Sequence, residues 1–273
     1  MVSQEQRRKQ LAREKMVRQQ ERREAARRRA RARNAVIAGA LAVVVAGGAV
    51  SYAAGAFDGD DTKDEASAEP SSTPKDPCAK AAPGKVKPLS FKKEPALTVD
   101  KSADYTMDLK TTCGDIALDL DAAKAPHTVN SFDFLAKKGY LDHTKCHRLT
   151  TGGIYVLQCG DPKGDGTGTP GYRIPDENLK DARLKGKVYP AGTVAMANQY
   201  NAQTKKGRNS GGSQFFLVYQ DSQLPPDYTP FGTISDSGMK VLKKIAAAGE
   251  STGQGDGAPN ANVVIDKATV TKS

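Results

Sequence analysis

Two periodicities mark the globular part of this chain. Tyr105, Met107 and Leu109 alternate with Thr106, Asp108 and Lys110, and Ile116, Leu118 and Leu120 resume the alternation after Thr112-Cys113-Gly114-Asp115. Period-two runs on either side of a glycine turn predict an antiparallel hairpin with one apolar face. Val129, Phe132 and Leu135 then recur at helical spacing between Pro126 and Gly139, which predicts a helix opened by proline and stopped by glycine. Short apolar runs at 145–149, 154–159, 193–198, 214–219 and 230–234 read as further strands, and 263–270 as a last one. Met239, Leu242 and Ile245 place a second helix over 238–248, followed by Gly249. Eight strands and two helices predict a mainly β fold, an antiparallel closed barrel capped by two helices over residues 98–273.

The charge pattern divides the chain differently. Residues 1–34 hold 13 Lys/Arg against four Glu, a net +9 of the chain's +10. The remainder is nearly neutral and carries no basic stripe interleaved with aromatics, so no nucleic-acid partner is expected. Residues 35–57 follow without a single charge, long enough as a helix (about 34 Å) to span a bilayer core. A cleaved signal peptide competes with an uncleaved anchor, because Ala54-Gly55-Ala56 offers a small-residue cleavage site. The 23-residue run exceeds the usual signal core of about 7–15 residues, which favours the anchor. The basic block on one flank and Asp58, Asp60, Asp61, Asp64 and Glu65 on the other keep the N-terminus cytoplasmic. The expected location is therefore the cell membrane, single-pass, with the later domain outside the cytoplasm. Residues 58–97, rich in Pro, Ser, Ala and charge, read as a linker.

Four cysteines, Cys78, Cys113, Cys146 and Cys159, all follow the apolar run. In an oxidising compartment they suggest two bridges, with three pairings open. Strands 145–149 and 154–159 are expected to be neighbours, which favours Cys146–Cys159 and leaves Cys78–Cys113 by elimination. A zinc site from His143, Cys146, His147 and Cys159 is the competing use of the same residues. It is disfavoured, and no metal or cofactor is expected.

The chemistry-bearing motifs are His147-Arg148, Gln158-Cys159-Gly160-Asp161, Gly166-Thr167-Gly168, Met196-Ala197-Asn198, Gly212-Ser213-Gln214-Phe215-Phe216 and Phe231-Gly232. One arginine, two glutamines and an apolar wall offer no nucleophile and no acid/base pair. In their order these motifs resemble the cyclophilin peptidyl-prolyl isomerases over about residues 103–271, and the tail, anchor and linker resemble membrane-attached bacterial members. The resemblance implies prolyl isomerisation of exported polypeptides, with Arg148 as catalytic residue. It implies substrate binding by Tyr155, Val156, Gln158, Ala197, Asn198, Gln214, Phe216, Leu224 and Tyr228. Phe215, one position from Phe216, points to the core by strand alternation. Gly164–Gly168 lacks the ligands of a phosphate or calcium loop and reads as a flexible wall of the groove.

The sequence departs from the family pattern at several places. Gln223 stands where many members carry tryptophan, Tyr228 where a pocket histidine is common, and Tyr200–Asn209 adds residues to one groove edge. The expected partners are proline-containing polypeptides and the membrane, with a monomeric catalytic domain. A non-catalytic peptide-binding or holdase module on the same scaffold is the alternative.

Overall fold

The computed structural model describes residues 76–273. The basic tail, the apolar run expected as an anchor and the first part of the linker lie outside the described residues. Among the described residues no helix is long and apolar enough to cross a membrane.

The hairpin forms as the alternation requires, with strands β1 (Tyr105–Thr111) and β2 (Gly114–Leu120) in continuous register from Tyr105↔Leu120 to Thr111↔Gly114. Met107, Leu109, Ile116 and Leu118 are fully buried, so the apolar face of the hairpin is one wall of the core. Helix α1 (Pro126–Lys138) begins at its proline, where a missing N–H costs nothing. Its free N-terminal donors are met from outside: the Glu177 carboxylate accepts from the His127 and Thr128 amides at 3.1 and 2.9 Å. Gly139 ends it at φ 67°, with Gly139 N–H bonded to Ala136 O and Tyr140 N–H to Leu135 O. That is the paired closure a left-handed glycine permits. Helix α2 (Asp236–Ala247) starts two residues before the expected boundary because Ser235 caps it, its hydroxyl accepting from Gly238 N–H at 3.1 Å.

Seven of the eight expected strands form as single strands, and the main sheet contains ten. Segment 145–149 is broken into β3 (Thr144–Lys145) and β4 (Arg148–Thr150), and β11 (Asp256–Gly257) adds an edge. The others are β5 (Val156–Cys159), β7 (Thr193–Met196), β8 (Phe215–Val218), β10 (Pro230–Ile234) and β12 (Val264–Lys272). A separate ribbon pairs β6 (Val188–Tyr189) with β9 (Ser222–Gln223). The antiparallel order is β11-β4-β5-β8-β7-β10-β2-β1-β12-β3, a curled sheet rather than an eight-stranded ring. The two ends of that order are joined by chain. Between β3 and β4, Cys146 N–H bonds Val263 O while His147 N–H bonds Gln158 O, so the segment changes partner there.

The four cysteines form Cys146–Cys159, as strand adjacency suggested, and Cys78–Cys113, the pairing left by elimination. Their thiols are thereby consumed, which removes Cys146 and Cys159 from any ligand set. Residues 76–97, placed in the linker by composition, lie against the domain. Cys78 is bonded to the β1–β2 turn, Phe91 N–H bonds Pro170 O, and the Phe91 ring meets Phe134 edge-on at 4.9 Å.

Candidate active site

Cross-strand register assembles the site. Arg148 pairs with Gln158, Gln158 with Phe216, and Phe216 with Ala195, so one row runs across β4, β5, β8 and β7. Side chains directly opposite in a sheet share a face. On this face Val156, Phe216, Val218, Ala195 and Tyr189 form a small apolar cluster of their own, against which Leu224, Ala197 and Tyr228 pack.

A cavity of about 190 Å³ opens over that cluster, lined by Arg148, Ile154, Val156, Gln158, Ala197, Asn198, Phe216, Leu224 and Tyr228. Arg148 and seven of the nine residues expected to bind substrate are therefore brought together. Gln214 lines the adjoining cavity of about 200 Å³, which shares Gln158, Ala197 and Asn198 with the first. Tyr155 does not join them. It lies before β5 begins, where alternation no longer applies; its ring packs edge-on against Tyr219 at 5.9 Å, and Ile154 lines the cavity instead. Gln223 is exposed on β9 and lines neither cavity.

The polar rim is tied together by hydrogen bonds. Arg148 Nη1 donates to Gln158 Oε1 at 3.2 Å, Gln158 Nε2 to Gln214 Oε1 at 3.0 Å, and Gln214 Nε2 to Gly166 O and Gly168 O, both at 3.0 Å. The chain of amides fixes both glutamines and the loop they touch. That loop, expected to be flexible, is pinned from within. The fully buried Asp161 carboxylate accepts from the Lys163, Asp165 and Gly166 amides at 2.7, 3.2 and 2.6 Å. A Cβ at Gly168 would sit 1.8 Å from Asp161 Oδ1, so only glycine allows this closeness. On the opposite wall, Asn198 Nδ2 donates to Asp227 O at 2.7 Å. Tyr189 there holds Tyr228 at two points, its hydroxyl donating to Tyr228 O at 2.6 Å and accepting from Tyr228 N–H at 3.1 Å.

Arg148 is the charged group of the first cavity. Its Nε and Nη2 donate to Asp256 Oδ1 and Oδ2 at 2.7 and 2.8 Å. Those bonds raise its pKa further above the ordinary arginine value, against a smaller opposing effect of burial. Burial raises the Tyr228 phenol, keeping it neutral beside the guanidinium. No lining residue of this cavity is a carboxylate, an imidazole, a thiol or a serine. What the arrangement offers is a fixed cation with hydrogen-bond donors above an apolar floor. Asp256 and Ile154 were missed by the sequence reading; Asp256 lies in Gly253-Gln254-Gly255-Asp256-Gly257, which shows no periodicity.

Comparison with known proteins gives a consistent account. Residues 106–270 match the family model described as cyclophilin type peptidyl-prolyl cis-trans isomerase/CLD. Over 198 residues the chain is 47% identical to the probable peptidyl-prolyl cis-trans isomerase B of Mycobacterium leprae, covering 70% of this chain and 63% of that protein. It is 46% identical over 188 residues to the protein of the same description in Mycobacterium tuberculosis, covering 66% and 58% respectively. The chain thus spans less than two thirds of either relative's length. Among solved structures, a Cryptosporidium parvum cyclophilin type isomerase superposes with a TM-score of 0.51 at 26% identity, covering 62% of this chain and 99% of that one. A second structure of that protein was determined in the presence of the dipeptide ala-pro.

Proposed function

This chain belongs to the cyclophilin-type peptidyl-prolyl cis-trans isomerase family, and we propose that it catalyses rotation about X-Pro bonds with Arg148 as its catalytic residue. The observation that carries the reading is Arg148 at the edge of an apolar cavity, hydrogen-bonded to Gln158, with no carboxylate, imidazole, thiol or serine among the residues that line that cavity.

An amide resists rotation by about 18–20 kcal/mol because the nitrogen lone pair is delocalised into the carbonyl. As the bond twists, the pair returns to the prolyl nitrogen, which becomes a hydrogen-bond acceptor only then. A guanidinium donor placed there favours the twisted form over both planar ones, which is the requirement for catalysis. It needs no proton transfer and stays charged at any physiological pH. Val156, Phe216 and Leu224 provide the apolar floor for the pyrrolidine ring, and Gln158 and Asn198 the polar edge for the peptide backbone. The solved relative studied with ala-pro supports a proline-containing peptide as ligand class.

In the same reading the domain serves exported polypeptides, outside the cytoplasm and anchored by residues 35–57. That part rests on the uncharged run at 35–57 and the charge asymmetry around it. A reporter fused after Lys93 should be active only as an exported-type reporter. For the chemistry, the test is Arg148→Ala, measured as the catalysed cis-to-trans rate on an Ala-Pro peptide with circular dichroism as the folding check. Turnover efficiency should fall on the order of 100-fold, as for other preorganised donors. A folded variant with a near-normal rate would remove Arg148 from the mechanism. A wild-type protein that binds the peptide without accelerating exchange would instead be the holdase alternative.

A further inference from the structure

We propose that Asp256 is the positioning residue for the Arg148 guanidinium, held in place by a loop folded around the Glu250 carboxylate. The inference rests on the catalytic reading of Arg148 given above. Three of the five N–H groups of Arg148 are engaged: Nε and Nη2 by the two Asp256 oxygens at 2.7 and 2.8 Å, and one Nη1 hydrogen by Gln158. Two remain for a ligand. Arginine has four side-chain torsions, and its head is fixed here by a planar two-point contact at one end and a glutamine at the other.

The carboxylate is itself placed by construction rather than by chance. Strand β11 pairs with β4 through Asp256↔Thr150 and Gly257↔Leu149, which sets Asp256 beside the strand that carries Arg148. The turn leading into β11 wraps the buried Glu250, whose carboxylate accepts from Thr252 N–H at 2.6 Å, Thr252 Oγ1 at 2.7 Å and Gly255 N–H at 2.8 Å. Two backbone bonds close the turn, Ser251 N–H to Ala258 O and Thr151 N–H to Gly255 O, both 2.9 Å. A Cβ on Gly257 would stand 2.3 Å from Glu250 Oε2, so the strand must carry glycine there for the carboxylate to fit. The Arg148–Asp256 pair is itself well exposed, with side chains 37% and 56% accessible. Such a pair adds little to stability. Its consequence is orientation: it selects the one guanidinium pose that also reaches Gln158.

The test uses Asp256→Ala and Asp256→Asn, alone and combined with Arg148→Ala, in the full chain. Asp256→Ala should lower turnover on an Ala-Pro peptide by about tenfold or more with KM nearly unchanged, the cost of a misplaced reacting group. Asp256→Asn, which keeps one oxygen for Nε, should recover part of that loss. In the Arg148→Ala background, Asp256→Ala should make no further difference, because its effect passes through the guanidinium. A loop that merely folds less well would give the same loss in both backgrounds, and that result, or turnover within twofold of wild type, overturns the proposal. The Arg148 Nε–H resonance gives a readout that needs no activity. It should be slow to exchange in the wild-type protein and lose that protection in Asp256→Ala. If the wild-type protein does not accelerate isomerisation at all, the catalytic reading fails. The Nε–H signal then decides the clamp alone, and unchanged exchange in Asp256→Ala overturns it.

Discussion

Phe215 and Phe216 are neighbours in one strand, and they serve opposite compartments. Phe215 is fully buried and meets Phe132 edge-on at 5.4 Å, while Phe132 stacks on Phe231 at 4.9 Å. Phe216 turns to the other face, against Tyr189 and Tyr228 at 6.2 and 5.5 Å, and borders the open cavity. Both side chains are hidden from water, so burial alone does not separate a structural phenylalanine from a binding one. What separates them is completeness. The first compartment is closed by its own helices and strands, whereas the second opens into the cavity lined by Arg148, Gln158 and Asn198. A sheet used in this way is a partition: the packed core lies on one side of β8 and the cavity proposed to hold proline on the other.

The comparison breaks most visibly if the core face is opened. Phe215→Ala should cost about 3–5 kcal/mol of unfolding free energy, the usual range for a phenylalanine removed from a packed core. Activity per folded molecule should stay near that of the wild type, because no atom of Phe215 lines the cavity. Denaturant unfolding alongside the Ala-Pro exchange rate checks both halves. A large rise in KM in the folded fraction would mean that the partition leaks.

How far this division was legible in the sequence depends on whether an alternating strand was present. Period-two patterning separates Phe215 from Phe216 correctly, whereas Arg148, Gln158 and Val156 are placed by the family resemblance rather than by the pattern. The resemblance groups Tyr155 with Val156, but adjacent residues entering a strand cannot both face one cavity; β5 begins at Val156, and the Tyr155 amide meets Ser222 Oγ at 2.9 Å. Asp256 was invisible because a glycine-rich turn has no periodicity to read, and its role depends on a partner 108 positions away. Residues 76–97 resemble a linker in composition, yet a few long-range anchors hold them: Cys78 to Cys113, the Ala82 amide to Asp266, and the Thr98 amide and Pro95 and Ala96 carbonyls to Asn130. Isolated contacts of that kind leave no mark on local composition.

The second disulfide sharpens the comparison from the core side. Cys159 pairs in register with Phe215, while its neighbour Gln158 pairs with Phe216 on the outward face. Replacing Cys146 and Cys159 by serine opens a closed loop of 13 residues, worth about 3 kcal/mol in the chain-entropy model. The thermal midpoint should fall accordingly, with the isomerisation rate of the folded protein reduced only a few-fold. A loss comparable to that of Arg148→Ala would show that the staple behind the strand sets the geometry in front of it.

Phe216→Ala probes the recognition face directly. The side chain already borders an opening, so its removal should cost less stability than Phe215→Ala. The deficit should appear in peptide binding instead, at about 1.5–3 kcal/mol for the apolar contact withdrawn from the proline ring. Isothermal titration with an Ala-Pro peptide measures this. Unchanged affinity would place the proline ring elsewhere.

The smallest effect expected is at Tyr189, beneath the recognition face, and it tests whether that face is preorganised. The Tyr189 hydroxyl both donates to Tyr228 O and accepts from Tyr228 N–H, a two-point clip on the residue that closes one wall of the cavity. Tyr189→Phe keeps the ring and its packing but frees two backbone groups of Tyr228. Tyr228 is only partly buried, so water can meet them, and the loss should be about 1 kcal/mol. Because the clip positions a wall rather than the reacting centre, KM should rise a few-fold with kcat nearly unchanged. The buried Tyr189 phenol also carries a pH signature of its own. Burial raises the Tyr189 phenol well above its ordinary value, and the Tyr140 and Tyr172 phenols to about 12. The folded protein therefore holds protons that the unfolded chain releases near pH 10, and stability should fall as pH rises through that value. Tyr189→Phe removes one such proton, so the decline measured by denaturant unfolding between pH 9 and 11 should become shallower. An unchanged KM would show that Tyr228 is held by its neighbours alone, and an unchanged slope that the Tyr189 phenol does not contribute to the alkaline decline.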